Sequence, residues 1–337
     1  MMKYRLSICI PTLNRGSYIG ETLDSIVSQW EAGIEIVIVD GGSTDNTEQV
    51  VSTFQQRFSD IRYVKKDSSE KKPSNEGFDR DCDCSVGLAD GEYCWLMTDD
   101  DLLKPGAIRK VLAETKSGYA IIVANAEVRN SDFTELLVQK RPAISQDRRF
   151  EAGEWDGFAS TVGGHLTFVG AVVIKRQLWL SRNREKYFGS GFIHVGVIFD
   201  EPIKEAMLVT ADPLVSIRFG NAQWTSRAFE IWMINWPGLI WSFSSISDVS
   251  KSAICLREPW RSLSTLLFIR ALGMYSKREY QLFVSGQSRS PARKLVSRLI
   301  AAVPRALLFV PVWIYIRVML PDSDYVLFNL KESWKRK

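Results

Sequence analysis

The residues with the most evident chemistry are three consecutive acids, Asp99, Asp100 and Asp101, which follow the apolar stretch Tyr93-Cys94-Trp95-Leu96-Met97. Gly91 opens that stretch, so it reads as a buried strand that delivers carboxylates at its carboxyl end, where open α/β sheets bind ligands. Adjacent carboxylates repel one another, and a fold keeps them together most readily when a cation neutralises them. Hard oxygen donors of this kind suit Mg2+ or Mn2+. A metal there would hold a pyrophosphate. The other reading is a solvated acidic turn capping the next helix, with Pro105 in its first turn.

The elements that would position these acids follow from the alternation of apolar runs and turn clusters. Residues 6–10 form a strand that ends in the turn cluster Pro11-Thr12-Leu13-Asn14-Arg15-Gly16, and Ile19, Leu23, Ile26, Val27 and Trp30 then recur at helical spacing. Residues 34–39 form a second strand, apolar almost throughout as a parallel strand covered on both faces must be. It ends at Asp40-Gly41-Gly42-Ser43-Thr44-Asp45-Asn46-Thr47-Glu48, where Asp45 and Glu48 have the spacing of a capping box. Residues 61–64 give a third strand, 65–77 a polar loop, 79–88 a helix and 119–124 a further strand. This order implies a parallel sheet with right-handed crossovers, a Rossmann-like half.

Length and composition agree with that frame. A chain of 337 residues with 45% apolar content suits one large domain with an appendage, or two modest domains. A net charge of +4 argues against a dedicated nucleic-acid binder. The five cysteines lack metal-site spacing, and Cys9 and Cys94 fall in apolar strands, so they read as reduced core thiols of a cytoplasmic protein. The N-terminus enters its first strand with no signal-peptide pattern.

Three motifs in order, Ile10-Pro11-Thr12-Leu13-Asn14-Arg15, Val39-Asp40-Gly41-Gly42-Ser43-Thr44-Asp45-Asn46-Thr47, and Ala89-Asp90-Gly91-Glu92-Tyr93 leading into Asp99-Asp100-Asp101, resemble family 2 glycosyltransferases with the GT-A fold. Gly77-Phe78-Asp79-Arg80 before Tyr93-Cys94-Trp95 resembles the branch containing abequosyltransferases and other bacterial O-antigen enzymes. The resemblance implies an α/β fold, a mostly parallel sheet flanked by helices, with a helical C-terminal extension. It implies a nucleotide-sugar half at 1–125, an acceptor half at 126–225 and a helical, basic and apolar region at 226–337. Activity would be metal-dependent, inverting transfer of a sugar from a nucleotide-sugar donor to a polyprenyl-diphosphate-linked oligosaccharide in surface-polysaccharide synthesis.

Residue by residue, the resemblance puts Asp40 on the nucleotide base and the segment of Pro11, Thr12, Asn14 and Arg15 along the ribose and phosphates. A carboxylate can accept the imino hydrogen of uracil, although an Asp before Gly-Gly is also a turn former. Arg80 would reach base or phosphate, or lie on a helix surface. Asp99, Asp100 and Asp101 would hold the nucleotide sugar and the cation, with Asp99 and Asp101 as metal carboxylates and Asp101 the direct ligand. Inverting transfer needs a base to take the acceptor hydroxyl proton. The family's acidic pair is replaced at that place by His194, whose ordinary pKa of about 6.5 suits the task. His194 then reads as base, as metal ligand or as a core residue, with Asp200 and Glu201 in reserve. His165, in a glycine-flanked entry to residues 171–174, and Trp224 are expected at the acceptor, and Arg218 at the diphosphate.

Residues 290–320 are basic and apolar and contain no acid. Their longest uncharged run, 306–316, is 11 residues, short of the roughly 20 needed to span a bilayer. On helical geometry Lys294, Arg298 and Arg305 fall within about 40° of one another, leaving an apolar flank. That pattern fits a helix lying on the cytoplasmic face of the inner membrane, or one packed on the catalytic domain or a second subunit of an oligomer. Two other classes stay open: a non-catalytic nucleotide-sugar-binding or scaffold subunit, and a nucleotidyltransferase, for which residues 11–15 lack the expected glycine-rich basic signature.

Overall fold

The computed structural model describes residues 3–67, 77–221, 226–287, 290–319 and 324–335. Its contacts divide the chain into two units. The first comprises Met1–Arg129, Val138–Arg218 and Phe243–Ile254, and the second Asn130–Leu137, Phe219–Ser242 and Cys255–Lys337.

The first unit is built on one sheet, of which only Leu136 and Leu137 are assigned to the second unit. Its strands in chain order are β1 (Tyr4–Thr12), β2 (Ile34–Asp40), β3 (Ile61–Lys65), β4 (Gly91–Leu96), β5 (Leu102–Leu103), β6 (Ile121–Arg129), β7 (Leu136–Arg141), β8 (Arg148–Phe150), β9 (Val172–Lys175) and β10 (Met207–Arg218). The spatial order is β3-β2-β1-β4-β9-β6-β10-β5, with β7 on β6 and β8 on β10. The first four strands run parallel; β2, central and covered on both faces, is buried from end to end, whereas the edge strand β3 buries only Ile61. The sheet turns mixed at β9, which is antiparallel to both β4 and β6.

Helices α1 (Ile19–Val27), α2 (Thr47–Gln55), α3 (Gly77–Leu88), α4 (Ala107–Thr115), α5 (Trp155–Val162), α6 (Arg176–Ser181) and α7 (Ile193–Phe199) belong to this unit. Helix α1 buries Ile19, Thr22, Leu23 and Ile26, the face its apolar spacing predicts. Three of the cysteines, Cys9, Cys82 and Cys94, are buried, and all five are free thiols.

Two local expectations fail for identifiable reasons. The capping box at α2 does not form: Asp45 accepts instead from Thr47 N (3.0 Å) and from Gly16 N (3.0 Å), while Glu48 reaches Lys65 (2.8 Å). Pro105 does not open α4, because Gly106 adopts the left-handed region (φ 82°) as its N-cap and the helix begins at Ala107. One long strand is not evident in the sequence at all. β10 runs parallel to β6 but shifts register on both sides of Pro213, the bulge at which a proline is tolerated inside a sheet.

The second unit is helical. It holds two apolar clusters, one around Phe229, Leu266, Tyr275 and Ile300 and another around Leu272, Ile316, Leu327 and Leu330.

Candidate active site

The site is assembled at the carboxyl ends of β1, β2 and β4. Thr12 and Asp40, the last residues of their strands, are register partners. The loops beyond them are laced together. Asn14 N donates to Ser43 Oγ (2.8 Å), Thr44 N to Asn14 Oδ1 (2.8 Å) and Arg15 N to Thr47 Oγ1 (2.9 Å). Asn14 has φ 54°, a left-handed conformation that Asn tolerates better than most residues. Pro11 and Thr12 are buried beneath this lacing.

Asp40 is fully buried, and both its oxygens are engaged. Oδ1 accepts from Gly42 N (2.9 Å) and Ser43 N (2.6 Å), and Oδ2 accepts from the Tyr63 hydroxyl. In this structure Asp40 therefore builds the turn that shapes the site's edge. Gly41 passes close to α3: a Cβ there would lie 2.7 Å from Asp81 Oδ2. Asp81 pairs through its other oxygen with Lys66 (2.5 Å), whose own N–H donates to Asp40 O (2.8 Å). Arg80 stands exposed over the Phe188 ring, 4.5 Å from its centroid.

The three acids at the end of β4 are brought together with Arg15. Its Nε lies 3.3 Å from Asp99 Oδ1 and its Nη2 3.3 Å from Asp100 Oδ2. Asp101 is 2% exposed and rigidly held. Its Oδ1 accepts from Arg218 N (2.6 Å), its Oδ2 from the Thr98 hydroxyl, and its carbonyl from Thr22 Oγ1 (2.9 Å). Arg218 also donates from Nε to Asp100 O (2.9 Å) and pairs with Glu21, so it fixes the backbone of the acid run. The guanidiniums of Arg15 and Arg218 lie 5.5 and 5.1 Å from the Tyr18 ring.

Burial dominates the electrostatics here. Desolvation, reinforced by Asp100 and opposed by Arg15, pushes Asp99 up to about 7. Asp101 is pushed well above the usual carboxylate range by burial first and Asp100 second. These acids carry more negative potential than their neighbouring cations compensate. That deficit fits a divalent cation. No group of three or more His, Cys, Asp or Glu forms a cage among the described residues. Magnesium, however, is commonly held by one or two carboxylates together with substrate phosphates. Each Asp101 oxygen accepts one of these bonds and has a second lone pair, so they aim the carboxylate without exhausting it.

The two histidines lie elsewhere in the unit, and each is wired to a backbone carbonyl. His194, on α7 and 1% exposed, has Nε2 2.8 Å from Leu166 O. His165, 3% exposed, has Nε2 2.9 Å from Ala124 O. A carbonyl only accepts, so each Nε2 carries the hydrogen and each Nδ1 is left with a lone pair. Both Nδ1 atoms are buried and without a hydrogen-bond partner. Desolvation lowers His194 to about 4 and His165 to about 3.

Asp79 of α3 fixes the entry to α7, accepting from Gly191 N (2.9 Å) and Ile193 N (3.1 Å). At the other end of α7, Asp200 accepts from the Tyr187 hydroxyl and lies 3.3 Å from Lys186 Nζ. Glu201 is turned to Arg182 (3.0 Å). Trp224 lies outside the described residues. Asp79 falls in the motif Gly77-Phe78-Asp79-Arg80, but its part in holding α7 is not legible there, and Glu21 carries no local signal because its partner Arg218 is distant in the chain.

Residues 7–171 match the model for Glycosyl transferase family 2. The abequosyltransferase RfbV of Salmonella typhimurium is 26% identical over 210 residues, 58% of this chain and 62% of that protein. The GalNAc(5)-diNAcBac-PP-undecaprenol beta-1,3-glucosyltransferase of Campylobacter jejuni is 30% identical over 150 residues, 42% of this chain and 46% of that protein. The chain thus spans less than two thirds of the length of these relatives. A mannosyltransferase from Pyrobaculum calidifontis, solved with GDP-Man and Mn2+, superposes with a TM-score of 0.52 at 14% identity, covering 98% of this chain and 86% of that one. The expected GT-A architecture, an α/β sheet with a helical C-terminal region, is borne out at the level of fold.

Proposed function

From a chain whose residues 7–171 form a glycosyl transferase family 2 domain, we propose a metal-dependent, inverting transfer of a sugar from a nucleotide-sugar donor to a lipid-linked oligosaccharide. The observation that carries this reading is the run of buried acids at the end of β4, facing Arg15 and braced by Arg218. Bound by Asp99 and Asp101, a divalent cation would supply neutralisation of the charge that builds on the departing diphosphate. Arg15, anchored by its own N–H to the second loop, is placed to exchange its carboxylate partners for phosphate oxygens. The loops ending β1 and β2 then supply the nucleoside side, with Asp40 holding the turn that a base would meet.

His194 acts as base in this proposal only where acceptor binding opens the packing around its Nδ1, which this structure encloses. Its Nε2–H is held by Leu166 O, so the proton would be taken by Nδ1, and the resulting imidazolium would keep the carbonyl bond. Asp200 is the reserve. The lipid-linked acceptor is supported by the Campylobacter relative, a glucosyltransferase named for an undecaprenol-linked sugar chain.

The full burial of His194 favours one second reading, a subunit that binds nucleotide sugar without turning it over. One experiment separates them. Purified protein is titrated with a panel of nucleotide sugars, with Mg2+, Mn2+ or chelator, and donor hydrolysis and transfer are followed in parallel. Metal-dependent binding with turnover supports the enzyme. Binding without turnover under any acceptor supports the subunit, and binding unaffected by chelator removes the cation from the proposal.

A further inference from the structure

The helices Pro291–Ala302 and Arg305–Met319 of the second unit carry an apolar surface that no described part of the chain covers. On the second helix one face is packed: Ile316 is fully buried in the cluster with Leu327 and Leu330, joined by Leu308 and Val312. The other face exposes Leu307, Val310, Ile314 and Val318, from 49% to 69% accessible. Their spacing of three or four residues keeps them on one stripe. The first helix adds Leu295 and Leu299, 57% and 56% accessible. A helix apolar on all sides belongs in a core or at a lipid boundary, and only one side of this one is in the core.

Charge decides between the occupants. Residues 290–320 hold five cations and no acid; Arg298 is exposed beside Leu295 on the first helix and Arg293 is exposed at its first turn, while Arg305 is turned onto Ala271 O and Ser333 O. A second copy of the chain would bring the same cations against these, whereas an anionic lipid surface complements them. The helices meet at a bend of 100°, and no single helix among the described residues is long and apolar enough to cross a membrane. We propose that this bent pair is an interfacial platform, its apolar stripes entering the headgroup and acyl boundary of an anionic bilayer and its arginines resting on the phosphates. The inference is independent of which sugar or acceptor the first unit handles.

The test is co-sedimentation of the full chain with phosphatidylcholine vesicles and with vesicles containing phosphatidylglycerol. Binding should be strong to the anionic vesicles and weak to the neutral ones, and should fall with salt. The pair Arg293→Gln and Arg298→Gln should weaken anionic binding by roughly 30-fold, the scale of losing two basic contacts at a charged surface. Val310→Ser with Ile314→Ser should weaken it further while leaving the far-ultraviolet circular dichroism and the melting curve unchanged, since both side chains are exposed. Equal binding to neutral and anionic vesicles, or none to either, overturns the proposal. So does a concentration-dependent dimer that the Val310→Ser, Ile314→Ser variant abolishes without any vesicle binding.

Discussion

Acidification should expose the two buried histidines through stability. Free histidine titrates at 6.5, whereas His194 and His165 are lowered to about 4 and about 3 by desolvation. Because the folded values lie below the unfolded one, the unfolded chain binds protons first as pH falls. The contribution to stability is whole above about pH 6.5 and is lost progressively down to the folded values. At about pH 5 the medium is roughly 1.5 units below the unfolded value, so at about 1.4 kcal/mol per unit each ring costs about 2 kcal/mol relative to pH 8. Asp99, raised to about 7, acts in the opposite sense over the same range, because the folded chain takes up its proton before the unfolded one. The absolute curve therefore mixes both. The difference between wild type and His194→Gln isolates the ring, since a Gln amide can still donate to Leu166 O and does not titrate. Urea unfolding at about pH 8 and about pH 5 should show the wild-type advantage shrinking by about 2 kcal/mol, and the same for His165→Gln. Parallel curves for wild type and variant would refute both the burial and the reasoning built on it.

The same His194→Gln variant should lower turnover by about 10²-fold or more while donor binding, measured calorimetrically, stays near wild type; unchanged turnover together with an inactive Asp200→Asn moves the base to Asp200. Asp101→Asn should keep the fold, because its amide oxygen can still accept from Arg218 N. It should nonetheless cost at least about 10²-fold in transfer and abolish the effect of added Mg2+ or Mn2+ on donor binding; full activity of this variant in chelator would end the cation's part. Gly41→Ala should destabilise the first unit by about 1–3 kcal/mol in urea unfolding, the scale of overpacking, because the new Cβ meets Asp81 Oδ2 at 2.7 Å. Nucleotide affinity should fall with it.

What the sequence disclosed was what is local. Runs such as Ile34-Glu35-Ile36-Val37-Ile38-Val39 announce a strand covered on both faces, and an acid run after Trp95-Leu96-Met97 announces a strand end, because period and composition act within a few residues. β10 was hidden by Pro213, which argues against a strand until the partner β6 accommodates it with shifts of register. The capping box at Asp45 failed because a tertiary neighbour, Gly16 N, competed for the same carboxylate. Residue type also says nothing of exposure. His194 reads as a base from its chemistry, and only packing shows that Nδ1 is enclosed.

The organisation of the acid run was beyond local reading for the same reason, and it carries the main functional consequence. Arg218 reaches Asp101 across 117 residues of chain and binds it through a backbone N–H and Asp100 through a guanidinium, while Glu21 holds the far end of the same side chain. Those bonds act on main-chain or already anchored groups, so Arg218 sets where the acids stand more than how much of their charge is cancelled. The direct neutralisation falls to Arg15, which sits 3.3 Å from both Asp99 and Asp100. One guanidinium between two carboxylates, with a third buried beside them, leaves a charge imbalance whose relief requires either protons or a cation. Burial and the neighbouring Asp100 raise Asp99, so the two remedies compete, and a ligand that arrives with phosphates for Arg15 and a divalent ion for the acids satisfies every partner at once.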